Sequence, residues 1–209
     1  MIVKGFWHIY MINHWFSIVT DQIRILLTSG LYDECDEINI GCIGTPLQTN
    51  LLQKFFVDIY PKLRIEAYSE DPLEYEFLTL RLIEEDKSDY VGFYFHTKAV
   101  TRPDDVAQNN LRAWLNESIL NRWKGHRHMV EHAWGASSVN RMHSPAHYNG
   151  NFWWFNRRYV DRLPRLDTLD HTERWKAEQW ICMCEGGQYS NEFLEATNTP
   201  FKIRYEKTK

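Results

Sequence analysis

Apolar and polar positions along this chain repeat with two different periods, and the period changes mark its elements. Residues 3–11 form an apolar and aromatic run, with polar His8 and Tyr10 near its end, and read as a first strand. Over residues 15–27 the positions Trp15, Ile18, Val19, Gln22, Ile23, Leu26 and Leu27 recur at helical spacing, and Ser29-Gly30 supplies a C-terminal stop. Residues 37–43 alternate as a strand closed by Gly44. Residues 51–60 form an amphipathic helix ended by Pro61, and residues 63–68 alternate again as a third strand. Ser69-Glu70-Asp71-Pro72 opens a helix that runs to about Glu85, with acids and proline in its first turn. Residues 90–95 are continuously apolar, as expected of a strand buried on both faces. A long helix follows from about Asp104 to Lys124, extending toward His132. The aromatic stretch 147–155 reads as a buried strand, and residues 172–183 as a last helix. Beyond Gly186 the chain is polar, with one further strand expected at residues 201–205.

Strand alternating with helix predicts an α/β fold in one domain spanning residues 1–209, with a mixed, mostly parallel central sheet flanked by helices. In such sheets ligands bind beyond the carboxyl ends of the strands. That rule selects residues 8–10, 68–71, 96–98 and 149–151, and the last helix. No internal repeat, low-complexity segment or linker interrupts the pattern.

Composition narrows the function classes. A net charge of −4 gives no general attraction to nucleic acid or anionic membranes. The apolar runs are too short to span a bilayer, and the N-terminus lacks a secretory pattern. Cys35, Cys42, Cys182 and Cys184 have no CxxC spacing and read as reduced thiols of a cytoplasmic protein. Aromatics are abundant, with nine Trp, eleven Tyr and eleven Phe, which directs attention to the run Asn149-Gly150-Asn151-Phe152-Trp153-Trp154. Amides at the mouth of a strand can bond hydroxyls, and indoles can cover the apolar face of a sugar. The same residues also suit a core strand that begins after a turn.

The sharpest local signal is His96-Thr97-Lys98 at the end of a buried strand. An imidazole, a hydroxyl and a cation there suit a diphosphate, or a metal bound to one. Neither GxGxxG nor GxxxxGK[ST] occurs, so the common dinucleotide and P-loop routes are unsupported. Glu178 is bracketed by Ala177, Trp180 and Ile181, a setting that can desolvate an acid and suit it to catalysis; a surface pair with Arg174 or Lys176 is the plainer reading. His128-Met129-Val130-Glu131-His132 fits the H-x-x-E-H pattern of inverted zinc peptidases, although Gly125 and His126 suggest a bend there. A non-catalytic carbohydrate-binding module is a further alternative, one that leaves His96-Thr97-Lys98 unexplained.

Several of these stretches together resemble the small GT-A-type glycosyltransferases, including those that chlorella viruses encode for capsid glycans and related bacterial proteins. The matching residues are Phe6-Trp7-His8-Ile9-Tyr10, Ser29-Gly30-Leu31-Tyr32, Glu74-Tyr75-Glu76-Phe77-Leu78-Thr79-Leu80, Tyr94-Phe95-His96-Thr97-Lys98, the run from His147 through Trp154, and Ala177-Glu178-Gln179-Trp180. They run in order over nearly the whole chain. The resemblance implies a GT-A-like sheet, a UDP-sugar donor and a glycan or glycoprotein acceptor, in capsid or surface glycan synthesis. It leaves room for the chain to be the N-terminal domain of a longer protein. It assigns His8, Tyr10, Tyr68, His96, Thr97 and Lys98 to the nucleotide, and His147, Asn149, Gly150, Asn151, Trp153 and Trp154 to donor sugar and acceptor. Glu178 becomes the acid beside the anomeric carbon. Family members commonly use manganese. The usual Asp-x-Asp at the end of the fourth strand is replaced here by His96-Thr97-Lys98, leaving His96 as a metal ligand or Lys98 as the charge in its place.

Overall fold

The computed structural model describes residues 1–132, 135–184, 187 and 189–191. Strand β1 (Ile2–Tyr10) leads to α1 (Trp15–Thr28), a single turn α2 (Leu31–Glu34), β2 (Glu37–Ile43), α3 (Pro46–Leu52) and β3 (Leu63–Ser69). Next come α4 (Phe77–Glu85), β4 (Tyr90–His96), α5 (Val106–Leu115) and α6 (Trp123–His132). The last part holds β5 (Ala136–Ser138), a hairpin of β6 (Arg141–His143) and β7 (Ala146–Tyr148), β8 (Trp153–Asn156), α7 (Arg157–Val160), α8 (Arg174–Gln179) and β9 (Tyr189–Asn191).

Seven strands form one sheet in the order β3-β2-β1-β4-β8-β5-β9. The first four are parallel, β8 runs antiparallel between β4 and β5, and β9 is parallel to β5. This is an α/β fold with a mixed, mostly parallel sheet flanked by helices. Period-two alternation sorts each strand between two apolar layers. Trp7, Ile9, Phe93 and Phe95 pack with α1, α5 and α6 on one face. Phe6, Tyr90 and Tyr94 pack with Phe77, Leu80 and Ile83 of α4 on the other, beside Trp180. Burial on both faces is why β4 shows no polar residue before His96. Because β2 and β3 lie on one side of β1 and β4 on the other, the strand order reverses between β1 and β4. Their carboxyl ends therefore border the crevice where open α/β sheets bind ligands.

The strands over residues 2–10, 37–43, 63–69 and 90–96 and the helix over 15–28 lie where the sequence predicts them. Other elements differ for identifiable reasons. The second helix begins at Pro46 rather than 51, because Thr45 and Gln48 cap its first turn reciprocally. The helix expected from residue 69 to 85 is divided. Asp71 caps a 3-10 turn over Pro72–Glu74, Tyr75 takes φ 46°, and α4 starts only at Phe77. The long helix passes through a π turn at Asn116–Asn121 into α6. The expected strand 147–155 is broken by Gly150 (φ 90°) and Asn151 (φ 55°) into β7 and β8. The last helix tightens into a 3-10 turn over Trp180–Cys182. None of the four cysteines forms a disulfide, and all four are buried. No helix among the described residues is long and apolar enough to cross a membrane. The strand expected at 201–205 lies outside the described residues.

Candidate active site

The turn after β4 is held from below. Thr97 N–H donates to His8 O at 3.1 Å, and Thr97 Oγ1 accepts the Tyr10 N–H at 3.0 Å. Buried Gln22 donates to His96 O at 3.0 Å while its oxygen accepts the Trp7 indole N–H at 3.2 Å. Arg112 donates to Lys98 O at 2.9 Å. These bonds satisfy the backbone groups released where the strand ladder ends, and they fix Thr97 and Lys98 at the mouth of a cleft of about 440 Å³. That volume lies within the range of small-molecule sites.

His8 and His96 are register partners on adjacent parallel strands, so both point to the same face. His8 Nδ1 lies 2.9 Å from Thr79 Oγ1, whose hydroxyl donates to Gly41 O at 3.3 Å. His8 therefore donates through Nδ1 and keeps the Nε2 lone pair. Gly41 is required here: a Cβ would stand 2.1 Å from Thr79 Oγ1. His96 donates from Nε2 to Gly150 O at 2.9 Å, which leaves its Nδ1 as an acceptor. Burial pushes His8 down to about 4 and His96 down to about 3, with Lys98 adding to the effect at His96, so both rings are neutral near pH 7.

Glu76 closes the floor. The break at Tyr75 turns it inward, where Oε2 accepts from the Asn151 amide and from Tyr94 OH at 3.3 Å. Its other oxygen, Oε1, lies 3.7 Å from His96 Nδ1. Across the cleft, α8 carries Arg174, Trp175 and Glu178. Arg174 Nη2 is 3.2 Å from Glu178 Oε1, and its guanidinium lies over the Trp175 ring at 5.4 Å. Trp175 is 63% exposed at the rim, as is Leu73 at 64%, and both line the cleft.

Of the residues singled out from the sequence, His8, Tyr10, His96, Thr97, Lys98, His147, Asn149 and Glu178 line this one cleft. The others do not. Tyr68 is exposed at the end of β3 and is absent from the lining. Gly150 offers its carbonyl to His96, and Leu115 stands 2.4 Å from where a Cβ would lie, so the close approach it permits serves the protein itself. Asn151 is buried beneath the floor, bonding Glu76 and accepting the Trp153 indole N–H at 2.7 Å. Trp153 and Trp154 are core side chains. The first stacks on Tyr94; the second stacks on Phe93 and donates to Ile119 O at 3.1 Å. Their placement leaves no indole face of β8 for a sugar, because both faces of this sheet are covered.

Sequence reasoning missed Glu76, Arg102 and Arg174, which also line the cleft. Glu76 had a readable signal: one residue before α4, it falls at i, i+4 and i+7 with the buried Leu80 and Ile83. The H-x-x-E-H segment lies elsewhere. His128 and His132 are exposed on α6 with ring centroids 4.6 Å apart, and Glu131 is bonded to Arg127 at 2.8 Å. Among the described residues no group of three or more His, Cys, Asp or Glu is placed to hold a metal ion. Compared with models of known protein families and with curated proteins, the chain matches none.

Proposed function

We propose that this chain is a glycosyltransferase of GT-A-like architecture. It would move a hexose or deoxyhexose from a UDP-sugar to a hydroxyl of a glycan or glycoprotein, in cytoplasmic synthesis of capsid or surface glycans. One observation carries the reading. A cleft of nucleotide-sugar size lies at the carboxyl ends of β1 and β4, where the strand order reverses, and it combines the cations Lys98, Arg102 and Arg174 with the acid Glu178. A polyanion and a sugar are the ligand that such a mixture suits.

In this reading His8 and Tyr10 contact the uridine, and Thr97 and Lys98 bind the diphosphate. His147 and Asn149, carried by the β6–β7 hairpin and the turn after it, reach the sugar hydroxyls. Transfer breaks the bond between the anomeric carbon and the diphosphate oxygen, and the electron pair leaves with UDP. The acceptor oxygen forms the new bond and its proton passes to the released diphosphate. Lys98 and the nearby arginines stabilise the charge growing on the leaving group, and Glu178 stabilises the positive charge at the anomeric carbon. Manganese, when bound, would supply Lewis-acid stabilisation of the diphosphate. An imidazole nitrogen and a carboxylate oxygen, from His96 and Glu76, are a fitting donor set for it.

The test is thermal stabilisation by UDP, GDP and CMP, each with and without manganese. A ligand at a hundredfold excess over its dissociation constant adds about 2.7 kcal/mol to the folded state. Selective stabilisation by UDP is expected. No shift with any nucleotide overturns the reading.

A further inference from the structure

We infer that Glu76, with His96, holds the divalent cation of this site, so that the carboxylate ligand comes from the start of α4 and not from the strand end after β4. The inference rests on the transferase reading and names the ligands that reading leaves open.

Both side chains are about a tenth exposed, 11% for Glu76 and 10% for His96, and both open into the cleft. Their remaining polar atoms are occupied. Glu76 Oε2 accepts from Asn151 and Tyr94, and His96 Nε2 donates to Gly150 O. What remains is an imidazole lone pair and a carboxylate oxygen facing each other at 3.7 Å. Two acceptors side by side repel, and a cation between them turns that repulsion into two bonds. Metal–ligand bonds of about 2.1 Å span up to roughly 4.2 Å, so the separation suits one ion.

The surroundings match a metal site as well. Ligating histidines characteristically donate their second ring N–H to a carbonyl, and ligating carboxylates are themselves hydrogen-bonded; Gly150 fills the first role, and Asn151 and Tyr94 the second. Asn151 is in turn fixed by Trp153 Nε1 at 2.7 Å. Aromatic and amide residues that touch no ligand thus acquire a role in aiming Glu76. With two protein donors, the ion keeps positions for diphosphate oxygens and water, as divalent ions at nucleotide sites commonly do.

Manganese binding can be read directly from loss of the sharp solution EPR signal of the aqueous ion when protein and UDP are present. Pulsed EPR of the bound ion in the wild-type protein is expected to show coupling to one imidazole nitrogen. Glu76→Gln and His96→Asn should each weaken manganese by at least about tenfold. The wild-type spectra stand as a test even if a variant fails to fold. UDP binding without manganese uptake, an absent nitrogen coupling, or folded variants that hold manganese as tightly as wild type would each overturn the inference alone. No nucleotide binding at all would overturn the transferase reading and this inference with it.

Discussion

Arg174 and Glu178 stand one helical turn apart on α8, with the guanidinium 44% exposed and the carboxylate 8% exposed, and Nη2 is 3.2 Å from Oε1. The pairing fixes the rotamer of an acid that would otherwise lose side-chain freedom on binding a substrate. It also leaves the second carboxylate oxygen for the cleft. If Glu178 faces the anomeric carbon, Glu178→Gln keeps the shape and removes the charge needed only as the glycosidic bond breaks. Release of UDP from a UDP-sugar should slow by roughly a hundredfold or more, with UDP affinity close to wild type. Full turnover in this variant would remove Glu178 from the mechanism.

Lys98 follows the clamped His96-Thr97 turn and is half-buried at the cleft. A charge-assisted hydrogen bond contributes about 1.5–3 kcal/mol, so Lys98→Ala should weaken UDP by ten- to a hundredfold. Uridine, which carries no phosphate, should bind nearly as before. Calorimetric titration of both ligands settles the point: equal losses would mean that Lys98 supports the turn and not the diphosphate.

Trp154 lies at 0% exposure against Phe93, with ring centroids 5.0 Å apart. Its replacement by alanine should cost about 3–5 kcal/mol of folding stability, measured as the shift of the urea midpoint at unchanged slope. A loss below about 1 kcal/mol would be incompatible with a core position.

The contrast between these residues shows what the sequence could and could not carry. The apolar runs of β1 and β4 and the alternation of β2 and β3 each mark a strand, so the parallel half of the sheet and the polar ends at His8 and His96 were legible. Trp153 and Trp154 were ambiguous because an aromatic strand looks the same whether its face meets a ligand or a second layer. Only the α4 and α6 layers decide that. Glu76 was half-legible: its spacing to Leu80 and Ile83 puts it on a buried stripe, but a helix read as unbroken from residue 69 hides the φ of 46° at Tyr75 that turns it inward, which has no signature in residue type. Residues 150 and 151 were recognisable as an opening, but the partner of that opening is His96, some fifty positions away.

Neutral, buried histidines give the fold a definite response to acid. His8 titrates near 6.5 in an unfolded chain and is pushed down to about 4 when folded, chiefly by burial. The unfolded state therefore binds the proton first as pH falls, so the stabilisation is complete above about 6.5 and is lost on the way down to about 4. His96, pushed down to about 3, extends the same slope further. From His8 alone, unfolding free energy should drop by about 2 kcal/mol between pH 7.5 and pH 5. Urea denaturation across that interval measures it, and this window lies above the usual carboxylate range. In His8→Gln the slope should be shallower by that amount, whatever the variant's stability at pH 7.5. An unchanged slope would mean that folding leaves His8 as open to water as it is in the unfolded chain.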